Sequence, residues 1–186
     1  MSKAIATLAT GSLLALTLVG CKDGGNAVTP RASQKPIGDP MFTMSSGTAS
    51  SLLGKSTFAD PDNQTLDVKR ITDDWHMQIK AKPAFDLAVQ RIRFNPGGQS
   101  GWHRHPGPVF IQVVYGRVTF YEADDPTCSP IVRSAGQGYL DFGDHPHIAV
   151  NETADSAVNV VTYFAPPGTP TSGLKIDADS PGNCPF

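Results

Sequence analysis

Short runs of apolar or alternating residues, separated by turn residues, recur along the chain from Asn63 onward. Successive side chains of a strand point to opposite faces, so such runs predict short strands with one buried face. No long stretch places apolar residues at helical spacing. The predicted strands span residues 65–71, 76–81, 86–94, 109–115, 117–122, 131–133, 138–142, 147–151 and 157–164. This spacing predicts an all-β fold, a sandwich or barrel of the jelly-roll kind.

Two of the connections are predicted to be hairpin turns between neighbouring strands. Tyr115-Gly116 lies between the fourth and fifth predicted strands, and the segment 152–155 lies between the last two. Residues that tolerate tight turns at these positions are typical of antiparallel hairpins.

The length and charge of the chain limit its domain count and its partners. A chain of 186 residues is long enough for one domain with a substantial core, and we predict a single domain. The net charge is −2, and only 17% of the residues are charged. Such a surface has no basic field that could neutralise a run of phosphates, so we expect no nucleic-acid partner.

Residues 1–20 have the composition of an export signal. Lys3 precedes a mostly small and apolar run that is too short and too soon interrupted for a membrane span. The run ends on Leu18-Val19-Gly20-Cys21, which resembles the lipobox of bacterial lipoproteins. This resemblance implies cleavage before Cys21, acylation of its thiol and membrane contact through that lipid alone. It places the protein in the bacterial cell envelope, on the periplasmic or the outer surface. The alternative is a buried N-terminal helix with an incidental cysteine.

Two cysteines remain once Cys21 is assigned to lipid. Cys128 and Cys184 form a natural pair in a chain exported to an oxidising compartment, so we predict a disulfide between them. Two free thiols are the alternative, because the sequence does not show that the two residues come within bonding range.

The segment 21–60 differs in composition from the rest of the chain. It is rich in glycine, serine, threonine, alanine and proline and has few residues able to build a core. Such a composition predicts a flexible tether. The barrel domain is therefore assigned to residues 61–186, including a C-terminal tail.

His103 and His105 are separated by one residue. On an extended chain both rings project to the same side and can form half of a metal site. Two imidazoles leave the coordination of a first-row divalent ion incomplete, so a third ligand must come from elsewhere in the sequence. By itself the pair is as consistent with a surface loop as with a metal site.

The surroundings of these histidines resemble the two sequence motifs of the cupin superfamily. Gly97, His103, His105 and Gly116 have the spacing of the first motif, but Val109 stands where the motif has glutamate. The second motif is matched at three positions and departs from the family at two, where Phe142 and Asp144 replace a proline and a glycine. The matching residues are Gly136, His147 and Asn151.

The resemblance implies a cupin-type antiparallel β-barrel that holds one divalent transition metal, Fe, Mn, Zn, Ni or Cu, on His103, His105 and His147. With valine at position 109, the nearest analogy is with cupins that use three histidines only, such as those resembling cysteine dioxygenase and the diketone-cleaving dioxygenases. Three neutral ligands leave positions open for an anionic, chelating molecule. The same departure also allows weakened metal binding and a simple binding cavity.

Strand parity predicts which other side chains surround the ion. If position 109 faces inward, Ile111 and Val113 do so too, whereas Gln112 faces outward. The expected pocket residues are Val109, Ile111, Val113, Tyr139 and Tyr163. The tyrosines could donate a phenol to bound oxygen or substrate, and the alternative is a phenol that only satisfies a backbone group. His145 competes with His147 as third ligand, and we favour His147 because it keeps the motif spacing.

Three functions remain in competition. The first is a small-molecule metalloenzyme of dioxygenase or isomerase type, and the second is a non-catalytic protein that binds a small molecule or a metal at the cell envelope. The third and weakest is a structural barrel that contacts an envelope partner. The fold does not decide between them. A homodimer is left open.

Overall fold

A computed structural model of the chain describes residues 43–59, 66–82 and 84–186. Apart from one 3₁₀ turn at Thr171–Gly173, the regular elements in these ranges are strands. They are β1 (Ser46–Ala59), β2 (Leu66–Ile71), β3 (His76–Ala81), β4 (Ala84–Gln99), β5 (His103–Arg104), β6 (Val109–Tyr115), β7 (Arg117–Glu122), β8 (Ile131–Ser134), β9 (Gly138–Asp141), β10 (His147–Val150), β11 (Ala157–Ala165) and β12 (Ile176–Asp177). Within the described ranges, no helix has the length and apolar character needed to cross a membrane.

Ten of the strands form one antiparallel sheet that curls into a nearly closed barrel. One half runs in the order β1, β4, β11, β6 and β9, and the other in the order β8, β7, β10, β5 and β12. The halves join where Val150 of β10 pairs with Gln99 at the end of β4. The prediction of an all-β antiparallel barrel is confirmed.

The core lies between the two halves and follows the two-residue period of the strands. On β6 the side chains of Val109, Ile111 and Val113 are buried, while the intervening Phe110 and Gln112 are exposed. The opposite half contributes side chains of the same apolar kind. These are Val118 and Phe120 of β7 and Ala149 of β10. Burial of this face stabilises the barrel by roughly 25 cal/mol for each square ångström of apolar surface removed from water.

The two predicted hairpins are wrong. β6 pairs with β9 and β11, whereas β7 pairs with β8 and β10. The turn at Gly116 therefore carries the chain from one half of the barrel to the other, and the segment 152–155 does the same between β10 and β11. Gly116 has φ +72, and a Cβ there would lie 2.6 Å from the Ser156 carbonyl oxygen, so only glycine fits this crossing.

Part of the predicted tether is a strand. β1 pairs with β4 along its length, from Ser46 opposite Gln99 to Ala59 opposite Ala84. Nearly all of its side chains are exposed. Backbone hydrogen bonds rather than apolar burial hold it, so its composition gave no sign of order. The rest of that segment, together with the predicted signal and Cys21, lies outside the described residues.

β2 and β3 form a separate two-stranded sheet and not two strands of the barrel. They pair from Leu66 opposite Ala81 to Ile71 opposite His76. Most of their side chains are exposed on both faces. The alternation of apolar and polar residues predicted these strands correctly. It gave no sign that both faces of the small sheet lie outside the core.

The C-terminal tail covers the outer face of the second half of the barrel. Trp102, Tyr121, Ile148 and Val150 form a second apolar cluster there, together with Cys184. Cys184 is bonded to Cys128, with 5.4 Å between the Cα atoms, so the predicted disulfide is present. Trp102 belongs to this outer cluster and does not wall the barrel interior.

Candidate metal centre

The three predicted ligands meet at one end of the barrel interior. His147 of β10 is paired directly with His103 of β5, and His105 follows two residues later on the same side. One nitrogen from each ring lies within 4.8 Å of the other two. The exposed fractions of His103, His105 and His147 are 6%, 5% and 1%. Two sequence-distant segments thus bring three buried imidazoles to a common point.

Backbone carbonyls fix the orientation of two of the rings. Nδ1 of His103 donates to the carbonyl oxygen of Gly101 at 2.8 Å, and Nδ1 of His105 donates to that of Leu174 at 2.6 Å. A carbonyl oxygen only accepts, so the proton is assigned to Nδ1 in both rings. Each Nε2 then carries a lone pair, as a metal ligand requires.

Burial keeps these imidazoles neutral. It lowers the pKa of His103 well below its ordinary value, with a further contribution from the charge of His147. Burial also lowers the pKa of His105 to about 4, again assisted by His147. Metal binding needs deprotonated nitrogens, so these two rings are ready for an ion at neutral pH without first losing protons.

Sequence reasoning missed a fourth group at this site, the carboxylate of Asp141. Its Oδ2 lies 3.2 Å from Nδ1 of His147 and 3.5 Å from Nε2 of His105. Strand parity could have identified it, because Asp141 is two residues from the inward-facing Tyr139 on β9. The cupin motif directs the search for a carboxylate to β6, and Asp141 lies on the neighbouring strand.

Three polar atoms of the histidine and aspartate side chains at this site are buried without hydrogen-bond partners. Within the described residues, Nε2 of His105, Nδ1 of His147 and Oδ2 of Asp141 are inaccessible to solvent and make no hydrogen bond. Each unsatisfied buried polar atom costs roughly 1–3 kcal/mol. A divalent ion accepts electron pairs from nitrogen and carboxylate oxygen together, so the residues present fit such an ion.

The loop after β9 holds the Asp141 carboxylate in place. The Gly143 amide donates to Oδ1 at 2.7 Å, and the Gly143 carbonyl accepts from the His105 amide at 2.9 Å. Gly143 has φ +103, and a Cβ there would lie 2.4 Å from the Gly107 carbonyl oxygen. Burial raises the pKa of Asp141, but His147 and the Gly143 amide outweigh burial and lower it, so the carboxyl is ionised.

Comparisons with known proteins were made at the level of sequence and of structure. No protein-family model matches the sequence, and no curated protein matches it. A solved structure of oxalate oxidase is 25% identical over 43% of this chain and 42% of that chain, with a TM-score of 0.38. A cupin superfamily protein from Desulfitobacterium hafniense is 12% identical over 55% of this chain and 79% of that one, with a TM-score of 0.38. A cupin domain from Bordetella pertussis is 19% identical over 54% of this chain and 93% of that one, with a TM-score of 0.37.

The chain resembles the cupins. It spans less than half of the oxalate oxidase chain that it matches. The glycines at the two cupin motif positions that precede the histidine segments, Gly97 and Gly136, both have positive φ, of 70° and 87°. Asn151, the last residue of the second cupin motif, is buried and donates to the carbonyls of Asn95 and Asp155. Gly136 precedes the end of β9 opposite Asp141, and Asn151 follows the end of β10 opposite His147, so these motif residues shape turns away from the histidines.

The predicted pocket residues all lie in the main core cluster. Those on β6 line the interior as parity predicted, and the two tyrosines pack beside the imidazoles. The cluster includes Val109, Ile111, Val113, Tyr139 and Tyr163. The ring centroid of Tyr163 is 5.4 Å from that of His105, and the ring centroid of Tyr139 is 5.9 Å from that of His147.

Both tyrosine hydroxyls are already engaged. Tyr163 donates to Oε1 of Gln90 at 3.1 Å, and Tyr139 donates to Oε1 of Glu122. Burial raises the pKa of each phenol, and for Tyr139 the hydrogen bond to Glu122 adds to the effect. In this arrangement the phenols bind neighbouring side chains and not the backbone groups that the alternative interpretation expected.

The remaining candidates lie away from the centre. His145 is exposed, with Nδ1 3.5 Å from Asp124 Oδ2, so His147 is the histidine that joins the cluster. Gln112 faces outward.

A separate apolar groove of about 540 Å³ lies on the outer side of the barrel. The β3 strand and the outward faces of β4, β6, β9 and β11 form it. The apolar side chains that line it include Ile79, Phe85, Phe110, Leu140, Phe142 and Phe164. None of the three histidines lines this groove, so it is distinct from the cupin-like centre.

Proposed function

We propose that this protein binds one divalent transition metal on His103, His105 and His147 and acts on a small molecule as a metalloenzyme of dioxygenase or isomerase type. The observation that carries the proposal is the cluster of three buried imidazoles with one nitrogen each within 4.8 Å of the others. The neutral state of His103 and His105 and the free electron pair on each Nε2 are those of metal ligands.

The chain's own residues prepare this site in two ways. The Gly101 and Leu174 carbonyls hold the rings of His103 and His105, so that no reorientation is needed on binding. Val109, which is paired directly with Asp141, and Ile111 add buried apolar side chains to the barrel interior. When bound, a divalent ion supplies Lewis-acid chemistry, and a redox-active ion also supplies electron transfer.

A second candidate function is binding without turnover. Within the described residues, the phenols nearest the imidazoles, those of Tyr139 and Tyr163, already donate to Glu122 and Gln90. Neither phenol is therefore free to act as a general acid or base towards a ligand. This engagement favours a binding protein of the cell envelope that captures a small molecule or a metal.

An oxygen-consumption screen separates the two functions. Protein loaded in turn with each of the five candidate metals is tested against diketones, flavonols and thiols, with a His147→Ala variant as control. The enzyme proposal expects at least one metal and substrate class to give oxygen uptake that the variant lacks. Ligand binding by the loaded protein, with neither oxygen uptake nor isomerised product, would support the binding function instead.

We also propose that the mature chain begins at a lipidated Cys21 and lies at the bacterial cell envelope. The lipobox-like sequence before Cys21 supports this. Mass spectrometry of the protein from membranes is expected to show an acylated N-terminal cysteine, and a Cys21→Ser variant is expected to lose the lipid. An unmodified chain beginning at Met1 would contradict the proposal.

A further inference from the structure

We propose that Asp141 supplies a carboxylate ligand to the metal, in place of the glutamate whose motif position is occupied by Val109. This inference rests on the proposed metal site and adds a fourth, negatively charged ligand to it. The cupin motif would place this carboxylate on β6, whereas Asp141 lies on β9.

The sheet register brings Asp141 to the right place. Val109 of β6 and Asp141 of β9 are paired directly in the antiparallel ladder, and both side chains are buried. Directly paired residues project to the same face, with Cβ atoms roughly 4.5–5.5 Å apart. A carboxylate at position 141 therefore enters the interior beside the place that a carboxylate at position 109 would occupy.

The two oxygens of Asp141 are in different situations. Oδ1 accepts a hydrogen bond from the Gly143 amide, whereas Oδ2 faces the imidazoles and has no hydrogen-bond partner. One oxygen is thus anchored and the other is directed at His105 and His147, as expected of a carboxylate that binds an ion through a single oxygen. Three neutral imidazoles would leave the double charge of the ion uncompensated in a buried site, and the Asp141 carboxylate halves that charge.

An orienting role is the competing explanation. Asp141 could accept a hydrogen bond from Nδ1 of His147 and act only through that ring, but the two atoms, 3.2 Å apart, are not aligned for such a bond. Loss of an orienting group also weakens metal binding by roughly 10–100-fold. A test must therefore distinguish a carboxylate that binds the metal directly from one that only orients His147.

Relocation of the carboxylate provides that test. Co²⁺ is titrated into metal-free protein and followed by its visible absorption, which reports the ligand set. The variants are Asp141→Ala, Asp141→Asn and the double variant Asp141→Ala with Val109→Glu. Asp144→Ala is the matched control, since it removes a nearby carboxylate that is 76% exposed. Asp141→Asn keeps an oxygen that can accept from the Gly143 amide but removes the negative charge. If the alanine variant fails to fold, the asparagine variant still shows whether the carboxylate binds the metal.

We expect wild type and Asp144→Ala to bind one Co²⁺ with the same spectrum. Asp141→Ala and Asp141→Asn should bind at least about tenfold more weakly, with a changed spectrum. The double variant should regain most of the lost affinity and the wild-type spectrum. If wild type binds Co²⁺ and the Asp141 variants keep its spectrum, or if Val109→Glu restores nothing, Asp141 is not a ligand and the three-histidine proposal stands alone. Failure of wild type to bind Co²⁺ would overturn both proposals.

Discussion

At the scale of single residues, the site depends on which histidine faces inward. His147 is 1% exposed and lies in the cluster, whereas His145, two residues earlier, lies at the surface beside the carboxylates of Asp124 and Asp144. The two residues offer a matched pair of variants. His147→Ala should lower metal content at least about tenfold, because two imidazoles form an incomplete chelate.

His145→Ala should leave metal content unchanged. The measurement is metal bound per chain after dialysis against a limiting supply of divalent ions. Equal losses in the two variants would contradict the assignment of His147 to the site.

Local spacing was enough to predict the shared face of His103 and His105 and the parity of β6, and the structure has both. His103 and His105 share a face, and Ile111 and Gln112 point to opposite sides. Asp141 was missed because its role depends on which strand pairs with β6. That register is set by long-range contacts, and local alternation does not encode it.

At the scale of elements, β1 is held by a buried polar contact as well as by its backbone ladder. The Asp86 carboxylate on β4 accepts from Thr57 Oγ1 at 2.6 Å and lies 2.9 Å from Lys55 Nζ. The hydrogen bond from Thr57 lowers the pKa of Asp86, and Lys55 and the Gly168 amide lower it further. Asp86 thereby links β1 to β4 and to the loop after β11.

This contact gives the attachment of β1 a defined pH dependence. A carboxyl with a lowered pKa stabilises the fold fully above its unfolded value, about 3.9, and the stabilisation is lost as pH falls through the folded pKa. The protection of β1 amides, relative to their intrinsic exchange rate at each pH, should therefore fall in acid more than the protection of β7 amides. In Asp86→Asn, the protection of β1 should already be low at pH 7 and should change less with pH.

Asp67→Asn serves as the control, because Asp67 lies on β2, where its exposed carboxylate accepts a hydrogen bond from Gln78 at 3.0 Å and lies 4.0 Å from Lys80. This variant should exchange like wild type in β1. Identical exchange of β1 in wild type and Asp86→Asn at pH 7 would show that the contact does not hold the strand.

Sequence patterns were least informative for the elements that have no buried face. The composition of β1 indicated a tether because its side chains are exposed, and the alternation of β2 and β3 indicated barrel strands. The predicted hairpins failed for a related reason. A turn sequence shows that the chain reverses, but not that it crosses between the two halves of a barrel.

At the scale of the whole molecule, the C-terminal tail connects the disulfide to the metal centre. The Leu174 carbonyl accepts from Nδ1 of His105, and β12 pairs with β5. Farther along, Cys184 ties the tail to Cys128 over a separation of 56 residues. Counting cysteines predicted the bond, but its relation to the histidines depends on long-range packing that the count does not contain.

Removing the disulfide should therefore loosen the tail and the site together. On the chain-entropy model, a Cys128→Ser and Cys184→Ser double variant should lose up to about 4 kcal/mol of unfolding free energy. Its Trp102, which is 0% exposed in the wild type, should show red-shifted fluorescence as the tail lifts, whereas Trp75 is already 52% exposed. Denaturant titration and emission spectra measure both effects.

Cys21→Ser is the control for the loss of a cysteine and should change neither quantity. A double variant with wild-type stability and emission would contradict the view that the disulfide holds the tail on the barrel.

The metalloenzyme proposed for the barrel interior depends on whether the three buried imidazoles hold an ion. The most direct measurement is the metal-to-protein ratio of wild-type protein purified without chelator and equilibrated with each candidate divalent metal. We predict one equivalent of at least one of Fe, Mn, Zn, Ni or Cu, and its loss in a variant with His103, His105 and His147 all replaced by alanine. A wild-type protein that retains no stoichiometric metal under any of these conditions, or a triple variant that retains as much as wild type, would contradict the central claim.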